Sequence, residues 1–273
     1  MKSRRIHSYL SATALGLMFF APGVFCAEVT DGMSHPKVTH QSENITTEHP
    51  THRSLFHQAF DDGVYLSSQP DFYFVIGALG AAPFVFRSSF ANESVALNEK
   101  LHNSTGADRF FEQGEWLGQA SLHIGASLVS MGVGKLTRSS SLESFGSDLF
   151  RAQGFSGVIT LSMKVITDRT RPDGSPYSYP SGHTSTSFAS AGVIYSHFGK
   201  VWGAAAFLGA SYVGLSRIEE NKHYLSDVLS GAIIGSYVGL KIAHRSKSGS
   251  GNKLSVIPDT RFGHGGLSLA LRF

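Results

Sequence analysis

The sequence predicts an all-α protein: a six-helix bundle with a short C-terminal β-strand or hairpin. Six apolar segments carry this reading, at about 72–86, 116–134, 152–166, 184–198, 201–215 and 226–243. Their lengths and small-residue content suit packed helices, and no block of alternation competes with them. Gly and Ala recur where helices approach closely, as in Gly203-Ala204-Ala205-Ala206 and Ser230-Gly231-Ala232. At 273 residues, with 41% hydrophobic residues and 30 glycines, the chain can bury a core and is neither disordered nor fibrous in composition.

Taken in order, residues 1–27 read as an export signal. Lys2, Arg4 and Arg5 form a charged head, Tyr9 to Phe25 an apolar run, and Cys26-Ala27 a small-residue cleavage region. An uncleaved anchor is the alternative, disfavoured by the short run and by Pro22-Gly23. Removal of the signal leaves 20 basic and 20 acidic residues, which argues against a nucleic-acid partner, since phosphate backbones are bound by a net or clustered positive field. Cys26 is the single cysteine, so no intramolecular disulfide forms.

Residues 28–53 are rich in Ser, Thr, His and Glu and read as a flexible leader. Its histidines, His35, His40, His49 and His52, are spaced too irregularly for a metal tract. Leu55, Phe56, Phe60, Val64 and Tyr65 mark a short amphipathic segment leading into a helical domain over 54–245. The 135–151 connection is polar and loop-like at its start, around Ser139-Ser140-Ser141. Residues 246–273 read as a linker and strand segment. There Leu267, Leu269, Leu271 and Phe273 alternate with Ser268, Ala270 and Arg272. One or two strands cannot close a barrel, so they are expected to pack on the protein's own surface.

Between Lys164 and Asp227 lie three blocks that together make a site for a phosphoryl group. They are Lys164 with Arg171-Pro172, then Pro180-Ser181-Gly182-His183, then Ser216-Arg217 with His223 and Asp227. Phosphoryl transfer needs positive charge around three oxygens, an in-line nucleophile and a proton for the leaving group. Lys164, Arg171 and Arg217 supply charge, and an Arg fork matches two phosphate oxygens at once. Gly182 lets the backbone approach an anion, Ser181 adds a hydroxyl donor, and the helix that follows points free N–H groups at it. His183 is placed as general acid. His223 and Asp227, four apart at the start of the last helix, share a face, so the carboxylate can fix the imidazole tautomer and leave the other nitrogen to attack. Singly, each has a blander reading: loop cations in surface pairs, an N-cap by Ser181, an ordinary His/Asp surface pair.

The pattern resembles the signature of the type 2 phosphatidic acid phosphatase superfamily, which includes lipid phosphatases, class A acid phosphatases and vanadium haloperoxidases. Eleven fixed identities have a joint chance on the order of 10⁻¹², so even about 10⁷ placements leave coincidence improbable. The resemblance covers about 65 residues by motif and, more loosely, 72 to 243. It implies six helices, His223 as nucleophile, Asp227 as its partner and His183 as acid, and no signature position departs from the pattern.

The expected function is a metal-independent phosphatase with no cofactor. It hydrolyses phosphomonoesters, with lipid phosphates such as phosphatidate or polyprenyl diphosphate favoured, through a phosphohistidine intermediate. The alternatives are a vanadium-dependent haloperoxidase and a non-catalytic phosphate- or lipid-binding envelope protein. The substrate partner is therefore a phosphate ester. The export signal places the chain on the periplasmic side of a bacterial envelope. The uncharged stretches mostly fall short of the ~20 residues a bilayer core requires, so a soluble or peripheral protein is favoured over an integral one. Against this stands the basic run Lys241, His244, Arg245, Lys247 after the last helix.

Overall fold

The computed structural model describes residues 54–85, 89–102, 107–248, 253–259 and 266–272. The export signal and leader expected over 1–53 lie outside them. Among the described residues there are nine helices, not six: α1 Leu55–Ser68, α2 Pro70–Val85, α3 Ser89–His102, α4 Ala107–Leu117, α5 Ala120–Leu136, α6 Ser140–Thr167, α7 Gly182–Phe198, α8 Lys200–Glu219 and α9 Leu225–Ser248. The six apolar segments correspond to α2 and α5 to α9, and the amphipathic segment is α1.

The two helices without a forerunner, α3 and α4, come from a stretch too polar to show a helical apolar period. Tertiary contacts hold them instead. Asn98 on α3 donates from Nδ2 to the carbonyls of Ile218 and Glu219 at 2.9 and 2.8 Å. Tyr212 on α8 donates its hydroxyl to the carbonyl of Phe110 on α4. The connection expected over 135–151 also needs correction. Ser139 is an N-cap whose hydroxyl accepts from the Leu142 amide at 3.4 Å, and the serine run opens a 28-residue helix.

At the centre α7 packs most extensively against α9 and α8, while α6 contacts α5, α7 and α9. The closeness of α7 and α9 follows from three glycines at four-residue spacing on α9. A Cβ at Gly231 would come within 2.5 Å of the Ser181 carbonyl oxygen, and Gly235 and Gly239 press equally on the Ser185 and Ala189 carbonyls. Around this seam lies a core of Leu66, Phe145, Leu149, Tyr179, Val193, Ile234, Val238 and Ile242. The tail forms two antiparallel strands, β1 Lys253–Asp259 and β2 Gly266–Arg272, with Leu254 opposite Leu271 and Val256 opposite Leu269.

The outer faces are unusually apolar. Leu136 on α5, Ile166 on α6 and Val201 on α8 are 86%, 76% and 81% exposed, and Leu128, Val158, Leu161 and Leu208 extend the same faces. Soluble monomers rarely expose such continuous apolar surface. Among the described residues one helix, Leu225–Ser248, is long and apolar enough to cross a membrane, and 56% of its apolar window is buried inside the protein.

Candidate active site

The three blocks meet at one end of the bundle, where α6 and α8 finish and α7 and α9 begin. Asp168, in a left-handed conformation (φ 39°), ends α6 one turn beyond Lys164. The chain then loops through Arg171 and returns at Ser181, the residue preceding α7. The backbone amide of Ser181 donates to the Asp227 carbonyl at 2.9 Å, tying the second block to the third. A Cβ at Gly182 would lie 4.0 Å from Lys164 Cε, so the first block abuts the second. Gly118, between α4 and α5, lets the backbone sit against His183; a Cβ there would come within 2.8 Å of the His183 Cβ.

Ser181 occupies the N-cap position of α7 but makes no side-chain cap bond. Its oxygen accepts from the Thr184 hydroxyl at 2.9 Å, which leaves its own proton available to a ligand. Lys164 donates from Nζ to the Tyr177 carbonyl at 2.6 Å. Among the described residues no carboxylate pairs with Lys164 or Arg171. Arg217 pairs from Nη1 with Glu220 Oε2 at 3.0 Å, which gives Glu220 a definite place: it restrains this guanidinium and offsets part of its charge. Buried Nε atoms of Arg171 and Arg217 have no hydrogen-bond partner. Unpaired buried donors are costly unless something fills the place before them.

His223 and Asp227 come together, but not on one helical face. His223 lies in the turn before α9, with Nδ1 3.6 Å from Asp227 Oδ2, an ion-pair distance longer than a hydrogen bond. Asp227 is fully buried and already held by other donors. Arg169 Nη1 reaches Oδ1 at 2.8 Å, the Tyr224 amide reaches Oδ2 at 2.9 Å, and the Ser178 hydroxyl also donates to Oδ2. Burial works to raise the Asp227 carboxyl, yet contacts from His223, Arg169 and Ser178 hold it below the ordinary carboxylate value.

Neighbouring charge marks the convergence of the remaining groups. His183 is depressed to about 4, first by burial and then by the charges of Arg217, His223, Arg171 and Lys164. His223 is likewise at about 4; burial dominates, Asp227 opposes it, and Lys164 and Arg171 add to it. Lys164 falls to about 8 through burial and the nearby Arg171. Two imidazoles and three cations thus share one electrostatic environment.

Sequence reasoning overlooked Arg169, Ser178 and Asn98. Arg169 stood inside the six residues counted as spacer between Lys164 and Arg171, and no spacing rule separated it from them. Asn98 had no neighbouring pattern at all. His123 on α5 joins the Leu117 carbonyl (2.8 Å) to the Ser190 hydroxyl (2.7 Å), linking the start of α5 to α7.

Residues 146–247 match the model of the PAP2 superfamily. A lipid A 1-phosphatase of Porphyromonas gingivalis is 45% identical over 80 residues, which is 28% of this chain and 18% of that protein. The match therefore spans less than a fifth of the curated relative. Among solved structures, a transmembrane PAP2 type phosphatidylglycerolphosphate phosphatase from Bacillus subtilis aligns with a TM-score of 0.54 at 18% identity, over 70% of this chain and 97% of that one. Aquifex aeolicus LpxE aligns with a TM-score of 0.46 at 24% identity, over 55% and 94%. The matched stretch, 146–247, holds all three blocks.

Proposed function

We propose that this protein is a phosphatase acting on lipid phosphate esters by way of a phosphohistidine at His223. One observation carries the reading: Lys164, Arg171 and Arg217 gather around two imidazoles, and among the described residues no carboxylate pairs with Lys164 or Arg171. The two positive charges left over are the complement of a phosphomonoester dianion. The unpartnered Nε atoms of Arg171 and Arg217 are donors of the right kind for its oxygens.

In this mechanism His223, neutral near pH 7, attacks phosphorus through Nε2 while Asp227 faces Nδ1. The P–O bond to the alcohol breaks as the N–P bond forms, and His183 gives its proton to the departing oxygen. A bound dianion favours the charged imidazole, so His183 takes up that proton as the substrate arrives. Water then attacks the phosphohistidine, returning a proton to His183, and the P–N bond breaks to release phosphate. Lys164, Arg171, Arg217, Ser181 and the first turn of α7, which opens at Gly182, hold the equatorial oxygens.

A lipid substrate is favoured by the apolar outer faces of α5, α6 and α8, which suit contact with lipid better than exposure to water. The lipid phosphatase among the relatives agrees with it. We infer membrane association on the envelope's periplasmic side, in place of the soluble form favoured by segment lengths alone. Phosphate release from a panel of lipid and soluble esters, with and without chelator, tests this. Release from lipid esters that survives chelation is expected. No release from any ester, or bromide oxidation on adding vanadate and peroxide, would refute it.

A further inference from the structure

We infer that Arg169 is a positioning residue for the nucleophile, acting through Asp227 to set the basicity of His223 and the orientation of its ring. The inference rests on the phosphatase reading and adds to it a group outside the three blocks.

Arg169 engages three of the side chains that follow His223, among them Asp227, which faces its ring. Its Nη1 donates to Asp227 Oδ1 and to Ser226 Oγ, each at 2.8 Å, and its guanidinium carbon lies 4.2 Å above the Tyr224 ring. The guanidinium, 13% exposed, is thus fixed by a carboxylate, a hydroxyl and an aromatic face. On the other carboxylate oxygen, Oδ2, the Ser178 hydroxyl and the Tyr224 amide have already taken their places, and this is the oxygen that His223 Nδ1 faces at 3.6 Å.

The electrostatic consequence follows from the company His223 keeps. Lys164 faces it from α6, Arg171 from the loop after α6 and His183 from α7, where Arg217 at the end of α8 adds its charge beside His183; among the described residues Asp227 on α9 is the carboxylate set against the imidazole. A lone carboxylate would draw a proton onto the imidazole and disable it as a nucleophile. A guanidinium bound to the far oxygen draws negative charge away, so Asp227 orients the ring without making it strongly basic. A less basic imidazole is also the better leaving group when water opens the N–P bond.

The test is the pH dependence of kcat/KM on a soluble phosphomonoester for wild type, Arg169→Gln and Arg169→Lys. Loss of the guanidinium charge is expected to move the acid limb upward by about one pH unit. Lysine, which keeps the charge, is expected to leave it in place. If Arg169→Gln does not give folded protein by circular dichroism, Tyr224→Leu takes its place, since it frees the guanidinium to leave the carboxylate; its limb is expected to move in the same direction. An unmoved limb in the folded variant, whatever the fall in rate, overturns the proposal, as does a lysine variant that shifts like the glutamine one. Wild-type protein that releases no phosphate would instead sink the phosphatase reading and this inference with it.

Discussion

The bundle buries charge at both ends, and the two clusters are built on opposite plans. At the far end Arg151 on α6 bridges Asp62 on α1 and Asp148 on its own helix. Arg245 on α9 takes the other oxygen of Asp62, and His197 on α7 lies 2.7 Å from the other oxygen of Asp148. Every carboxylate oxygen has a partner. At the opposite end α6, α7 and α9 present Lys164, His183 and Asp227, with Arg171 joining them from the loop after α6 and Arg217 from the end of α8. There buried donors are left over. About 24 Å of α6 separates Asp148 from Lys164 at 1.5 Å per residue. A closed network fastens helices together; one with unspent donors is built around something that comes and goes.

This contrast is open to attack by mutation. The largest expected effect is at the open end: His223→Ala should lower phosphate release by ~10³-fold or more, with the thermal midpoint unchanged. Activity within tenfold of wild type would remove the nucleophile from the scheme. At the closed end, Arg151→Met leaves one buried oxygen of Asp62 and one of Asp148 without a partner and should cost about 3–5 kcal/mol of stability. Folded protein should keep kcat/KM within a few-fold, as judged by denaturant titration beside kinetics. Arg171→Ala reverses this signature, with kcat/KM down ~10²-fold and stability equal or higher, because no partner is abandoned. A clear loss of stability in that variant would make Arg171 a structural cation.

The smallest effect is titration of the resting protein. His183 and His223 ionise at about 4 in the folded state but near 6.5 when unfolded. Between these values the unfolded chain binds more protons, so stability should decline as pH drops from about 6.5 to 4. His183→Asn should flatten that slope. A slope identical to wild type would mean the imidazole is not buried among cations.

Much of this was legible beforehand, for identifiable reasons. The helices α7, α8 and α9 announce themselves because their apolar runs abut the motif residues, and Gly231 marks the close approach it makes. The polar opening of α6 was misread because Asp148 and Arg151 look like surface charge until Asp62, nearly 90 residues upstream, supplies the partner. The helices α3 and α4 gave no periodic signal because polar contacts such as Asn98 to the Ile218 carbonyl hold them. Reading His223 onto the last helix failed for a related reason: four-residue spacing implies a shared face only if the helix has begun, and α9 begins at Leu225.

The glycine seam between α7 and α9 bears on how the site behaves in motion. With Gly231, Gly235 and Gly239 set against the backbone of α7, and Ser181 bonded to the Asp227 carbonyl, the helix that carries His183 and the helix that carries Asp227 form a single stiff plate. Thermal breathing is then expected to move His183 and Asp227 together. The helices α3 and α4, by contrast, are fastened by polar contacts from Asn98, Ser94 and the Phe110 carbonyl. In hydrogen exchange the plate's amides would be the last to open and those of α3 and α4 among the first.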